Sequence, residues 1–314
     1  MSLISTASRR AYRGRAVRLG PIGRLLEDER WLALTLLLPT VILLGLFIAY
    51  PFVKGVMLAV TDTTVGVPGK FVGLRNFQQL WHDDIFRTAV WNTCVYTAAA
   101  TVFKLALGLW LALLLNRNFR GKAFTRAFIL LPFIIPTVLS TFAWKWMFDP
   151  TFSVLNWILF HLGIINSRIN WLGNPNLALV SVIIVNVWRG VPFYAISLLA
   201  GLQTISPELH EAAAIDGARP LQRFIHVTWP LLLPVTLVIV LFSVIQTFAD
   251  FQLVYVLTGG GPANATQLFA TYAYQVGVGT GLLSQGAAIS LAIFPVLLLV
   301  VIFQLFYIRR VEVH

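Results

Sequence analysis

Apolar residues in this chain come in long runs separated by shorter polar stretches. Runs at about 32–60, 89–115, 127–147, 177–200, 231–253 and 286–307 each reach the ~20 residues that an α-helix needs to cross the hydrocarbon core of a bilayer. The pattern predicts an all-α polytopic membrane protein with six transmembrane helices. Pro39 and Pro51 are expected to bend or end the first of them. Between the runs, 61–88 is polar with aromatic spacing that points to a short interfacial helix. Residues 148–176 read as a loop with Asp149, Arg168 and several Asn. A Gly-rich, uncharged connection precedes the last run, and no long internal repeat is present. The expected division is a tail over 1–30 and a six-span domain over 31–314, with one long polar loop at 201–230.

That loop has a local grammar. Ser206 is placed to cap a helix, Pro207 suits the first turn, and Glu208 sits where the helix dipole favours an acid. Ala212, Ala213, Ala214 and Ile215 continue the helix with a slim outer face. Asp216-Gly217 breaks it, because glycine accepts backbone angles that a side chain forbids. Pro220 opens a second short helix with Phe224 and Val227 spaced to pack inward, and Trp229-Pro230 leads into the next apolar run. The pattern predicts two short helices joined by a glycine elbow, a rigid knob facing water.

Composition narrows the class. Of 314 residues, 58% are hydrophobic and 11% charged, against about a quarter charged in a soluble domain. A net charge of +11 raises nucleic acid as a partner. The basic residues cluster beside apolar runs, however, as the positive-inside rule requires, so no nucleic-acid partner is expected. Fifteen Lys and Arg fall in the tail, the 116–126 loop, the 201–228 loop and the C-terminus, against four on the opposite side. Both termini and the polar loop are therefore expected in the cytoplasm, and the run at 32–60 is read as an uncleaved first span. The one cysteine, Cys94, lies inside a run, which excludes an intrachain disulfide and makes a thiolate metal cluster unexpected. Gly121-Lys122-Ala123 lacks the hydroxyl and first glycine of a phosphate-binding loop. No cofactor is expected in this chain, and any ATP must be hydrolysed by another polypeptide. No metal cluster or nucleophile–base constellation supports an enzyme.

The loop at 201–230 resembles the EAA loop of bacterial ABC importer membrane subunits. Glu211, Ala212, Ala213, Gly217, Val227 and Pro230 all fall in the family's register. Tyr50-Pro51, the run from Gly73 to Phe77, Asn92-Thr93, Leu131-Pro132, Trp188 to Pro192 and the run from Thr258 to Pro262 are similar to the carbohydrate branch, of the maltose and glycerol-phosphate type. The resemblance implies the type I ABC importer permease fold in the bacterial inner membrane. It also implies a second EAA-type permease, two copies of a cytoplasmic ABC ATPase, and a periplasmic or lipid-anchored solute-binding protein. Glu208, Glu211, Ala212, Ala213, Asp216 and Gly217 would form the coupling helix that sits in the ATPase.

Polar residues inside spans are costly and face a bundle interior or a water-filled path. Ser243, Gln246, Thr247 and Asp250 share one face of the fifth run, and Asn186, Arg189, Gly190 and Phe193 one face of the fourth. Such faces suit a neutral, hydroxyl-rich solute, with Phe193 stacking on a sugar ring. The competing reading is that they only bind helices together. By the resemblance, Asn186, Gly190, Phe193, Ser243, Gln246, Thr247 and Asp250 fall on positions that line the sugar site in maltose-type permeases. Gly190, Phe193 and Ser243 agree in type and the other four do not, so the sugar need not be maltose. Arg189 either counters Asp250, the structural or gating reading favoured here, or meets an anionic cargo such as glycerol phosphate or a sugar acid. Lys104 is read as snorkelling or paired. A stand-alone secondary transporter is the less favoured alternative, since it would call for inverted repeats.

Overall fold

A computed structural model describes residues 29–312, so the expected cytoplasmic tail lies outside the described residues except at its end. Among them there is no strand, only two isolated bridges at Thr61–Phe71 and Thr64–Val67. The chain separates into two compact units, Met1–Lys54 and Gly55–His314.

The first unit holds α1 (Glu29–Leu44), a π-turn (Gly45–Ala49) and the start of α2 (Tyr50–Ala59). Neither proline ends this run, contrary to one expectation. The π-turn explains how Pro51 is carried. Tyr50 N–H reaches back five residues to Gly45 O, which widens the helix just where a proline ring would crowd the preceding turn. The Leu, Val, Ile and Phe side chains of the turn and of α1 point outward, as suits a helix surrounded by lipid.

The second unit continues with α3 (Arg75–Trp81), α4 (Asp84–Leu115), α5 (Lys122–Ile134), α6 (Thr137–Met147), α7 (Val154–His161) and α8 (Pro175–Gln203). There follow α9 (Pro207–Ile215), α10 (Pro220–Arg223), a π-turn (Phe224–Thr228), α11 (Trp229–Phe248), α12 (Gln252–Leu257), α13 (Phe269–Tyr274), a third π-turn (Gln275–Gly279) and α14 (Leu283–Glu312). Five helical stretches among the described residues are long and apolar enough to cross a membrane: Leu32–Ala59, Asp84–Leu115, Pro175–Gln203, Pro220–Phe248 and Leu283–Tyr307. A sixth exists only if α5 and α6 count as one, and they meet at 89°. The expected straight span at 127–147 is thus broken. Pro136 withholds an N–H and pushes Ile135 into extended backbone, φ −63° and ψ 130°.

α4 and α8 share the most extensive helix–helix contact, with α11 laid against both and α14 against α11. Tyr194, Leu198 and Leu202 of α8 meet Ala112 and Leu115 of α4 and Leu232 and Ile239 of α11. A second cluster places Tyr96 and Val185 against Phe148, Leu253, Leu257 and Leu268.

The Gly-rich connection departs most from its reading as a simple link. It carries α12 and α13, and Thr266, Gln267 and Leu268 are almost wholly buried. Its polar groups are satisfied by α4. Asn92 Nδ2 donates to Ala265 O at 3.0 Å and Gln267 O at 3.2 Å, while Phe269 N–H donates to Thr93 Oγ1 at 3.1 Å. Tyr272 donates its hydroxyl to Asp83, and burial followed by that acid pushes its phenol well above the ordinary value. The Gly73–Phe77 motif has a parallel role. Asn76 donates to Ala59 O at 2.8 Å and Thr61 O at 2.7 Å, capping the end of α2.

Asn76→Ala leaves the buried Ala59 carbonyl without a donor and should cost about 1–3 kcal/mol. Thermal unfolding of the detergent-solubilised protein measures it, and an unchanged midpoint would contradict the capping role.

Candidate functional site: a cavity and a water-facing knob

All seven residues expected to line a solute path line one cavity of about 540 Å³. That volume is typical of a site for a small organic ligand. α8 contributes Asn186, Arg189, Gly190 and Phe193, and α11 contributes Ser243, Gln246 and Thr247. Asp250 arrives differently from the expected fourth step of a helical stripe. α11 ends at Phe248, so Asp250 stands in the break before α12. There its Oδ1 accepts Leu253 N–H at 3.4 Å, a start-of-helix contact. Its Oδ2 accepts Tyr96 Oη at 2.7 Å from α4 and Asn186 Nδ2 at 3.1 Å from α8. Ser243 and Thr247 are buried and Gln246 is exposed at the rim.

The Asp250 carboxylate is hydrogen-bonded by neutral donors, and Arg189 counters it electrostatically from beyond 4.0 Å rather than as a contact ion pair. Of the two readings of Lys104, the structure has the paired one, and the side chain does not snorkel to a membrane surface. It is 4% exposed, lines the cavity, and donates to Thr247 Oγ1 at 2.7 Å. Its aliphatic stem crosses α8 at Gly190, where a Cβ would overlap Lys104 Cδ. Glycine at 190 is thus what lets a lysine from α4 reach a threonine on α11. The sequence signal for Lys104 was a lone cation in an apolar run, and nothing local tells which way such a side chain turns.

Phe133 was not anticipated either. It stacks on Phe193 with centroids 5.8 Å apart, which puts two aromatic rings on the cavity wall. Its helix α5 ends close by at the break that the sequence did not reveal. Asn186 Oδ1 and Arg189 Nε are buried without a hydrogen-bond partner. The cavity wall therefore holds an unfilled acceptor and an unfilled donor just beneath its surface, beside two ring faces.

The stretch expected to couple to an ATPase has the anticipated form. Ser206 Oγ accepts Glu208 N–H at 3.3 Å to start α9. At its other end Gly217 N–H bonds to Ala214 O at 3.1 Å and Ala218 N–H to Ala213 O at 2.9 Å, a Schellman closure. Gly217 has φ +79°, and no atom lies within 4 Å of where its Cβ would be. A side chain there would be opposed by backbone conformation rather than by crowding. Arg219 N–H donates to Gln222 Oε1 at 2.8 Å to open α10. Glu208, Glu211, Ala212 and Asp216 are exposed, and Ala213 is half-buried. Ile215 is 87% and Leu221 69% exposed beside them. Among the described residues no group of His, Cys, Asp and Glu is arranged to hold a metal.

The family described as "Binding-protein-dependent transport system inner membrane component" matches residues 104–313. The trehalose/maltose transport system permease protein MalF of Thermococcus litoralis is 35% identical over 282 residues, which cover 90% of this chain and 94% of that one. The sulfoquinovosyl glycerol transport system permease protein SmoG of Agrobacterium fabrum is 35% identical over 268 residues, 85% of this chain and 86% of that one. A solved bacterial ABC transporter involved in import of the acidic polysaccharide alginate superposes with a TM-score of 0.79 at 24% identity. The superposition spans 91% of this chain and 99% of that chain, and shows the same fold.

Thr247→Ala strands the Lys104 ammonium in a buried position and should lower stability by about 1–3 kcal/mol, while Thr247→Ser should not. Thermal unfolding in lipid discs compares the two. Equal midpoints would mean that the Lys104–Thr247 bond carries no weight.

Proposed function

This chain belongs to the family of binding-protein-dependent transport system inner membrane components, and from that membership we propose that it is a translocation-pore subunit of an ATP-driven ABC importer for a sugar or related polyhydroxylated solute. The observation that carries the reading is the single cavity into which Asn186, Gly190, Phe193, Ser243, Gln246, Thr247 and Asp250 all open. Amides and hydroxyls supply donors and acceptors to ring hydroxyls, and the Phe133–Phe193 pair offers faces for sugar C–H groups. Relatives named for trehalose/maltose and for sulfoquinovosyl glycerol transport support this cargo class.

In this reading the chain makes no covalent chemistry. It pairs with a second EAA-type permease subunit, two copies of a cytoplasmic ATPase that bind ATP and magnesium, and a periplasmic or lipid-anchored protein that delivers the solute. The knob around α9 and α10 docks in the ATPase through Ile215, Leu221 and the exposed acids Glu208, Glu211 and Asp216. Nucleotide-driven closure of the ATPases moves the knob, and helices continuous with it carry that displacement to the cavity wall. The path is short, since α10 runs through a π-turn directly into α11, which bears Ser243, Gln246 and Thr247. Both termini and the knob face the cytoplasm, by the distribution of basic residues.

Uptake by cells expressing the whole importer tests both halves. Gln246→Ala should slow uptake by about ten- to a hundredfold while basal ATP hydrolysis persists. Gly217→Val should abolish solute-stimulated hydrolysis and uptake with the complex still inserted, whereas Gly217→Asn, tolerant of positive φ, should retain much of both. Normal uptake in Gln246→Ala would remove the cavity from the path, and normal coupling in Gly217→Val would refute the elbow.

A further inference from the structure

The charge inside the cavity is unbalanced. Lys104, Arg189 and Asp250 all line it, two cations to one acid. Asp250 is hydrogen-bonded at both oxygens by Tyr96, Asn186 and the Leu253 amide, all neutral, and it offsets Arg189 and Lys104 only from beyond contact distance, one charge against two. Among the described residues no carboxylate oxygen lies within 4.0 Å of a Lys104 or Arg189 nitrogen. Lys104 has three donors and one hydrogen bond, to a neutral hydroxyl. Arg189 makes no hydrogen bond, and its Nε is buried without an acceptor. Lys104 is buried and Arg189 half-buried, and leaving donors of such cations unfilled is costly unless a counter-charge arrives.

Resting on the reading of this cavity as the solute site, we propose that its cargo is a sugar or polyol carrying one anionic oxygen group, held by Arg189 and Lys104. A carboxylate, sulfonate or phosphate monoanion meets the same requirement. Its oxygens accept from the guanidinium edge and from the two open ammonium hydrogens, which form charge-assisted bonds. Phe133 and Phe193 take the ring face, and Gln246 at the rim takes further hydroxyls. Gly190 is part of the device, because a side chain there would displace the stem of Lys104. The alternative neutraliser is an acid from the second permease subunit. That arrangement would leave no preference for a charged cargo, which is what the experiment reads.

The assembled importer in lipid discs is titrated with matched solutes that differ in one group, glucuronate against glucose and galacturonate against galactose. Binding is followed by tryptophan fluorescence, with Trp188 next to Arg189 in sequence and packed on Trp144 at 5.5 Å as the local reporter. At least one acid should bind ten times or more tighter than its neutral counterpart. That ratio should fall about ten- to a hundredfold in Arg189→Gln and in Lys104→Met, and be largely kept in Arg189→Lys. Neutral solutes binding as tightly as the acids, no saturable response to either acid, or an unchanged ratio in Arg189→Gln and Lys104→Met would each overturn the proposal. Gln246→Ala separates the two levels. If it weakens acid and neutral solute together while the ratio ignores Arg189 and Lys104, only the charge assignment fails. If it weakens neither, the cavity itself is not the site.

Discussion

The carboxylate of Asp250 ties together the parts of this protein that matter for its chemistry. Through Oδ2 it joins Tyr96 on α4 and Asn186 on α8, and through Oδ1 it starts α12 just past the end of α11. Burying an acid this way is tolerable only because three donors converge on it. The same demand that buried polar groups find partners recurs through the fold. Asn76 closes α2, Asn92 and Thr93 hold the Gly-rich segment, and Thr247 receives Lys104. In an apolar surrounding no water can take over these bonds, so each one fixes the geometry of the elements it joins. In the cavity wall this network is left incomplete at Asn186 Oδ1 and Arg189 Nε, as it is at Thr97 and Thr101 on α4.

Beside the cavity, Leu198 packs against Leu232 and Ile239 in an apolar cluster, while Tyr194 of the same cluster also lines the cavity and has a buried hydroxyl without a hydrogen-bond partner. One to two helical turns before Tyr194, Arg189 and Asn186 hold buried polar atoms with nothing to bond. Unfilled polar atoms there stand beside two stacked rings in the wall of one cavity. The knob is a contrasting surface, with its backbone organised by caps and Ile215 and Leu221 exposed.

The elements legible in the sequence were those set by local rules. Ser206, Pro207 and Gly217 specify a helix start and stop within a few residues, and the structure has that helix between them. The polar faces of α8 and α11 follow from helical periodicity, which is why Asn186, Ser243 and Thr247 were placed together correctly. The break at Pro136 was not foreseen, because proline inside an apolar run is often carried within a continuous helical stretch, as Pro39 and Pro51 are here. Asp250 was assigned to the right wall through an extrapolated helix that ends two residues too early. Lys104 depended on Gly190 from another helix and Thr247 from a third, a relation no local pattern contains. The buried Gly-rich segment was hidden for the same reason, since its partners sit on α4, more than 150 residues away in sequence.

The central claim is that solute passes through the space between α8 and α11. Electron cryomicroscopy of the complete importer, trapped with nucleotide while its solute is enclosed, tests it most directly. The account predicts solute density within hydrogen-bond distance of Asn186, Gln246 and the Arg189 guanidinium, with a sugar ring against Phe193. Solute density bounded only by the other permease subunit, with these side chains packed against one another, would contradict it.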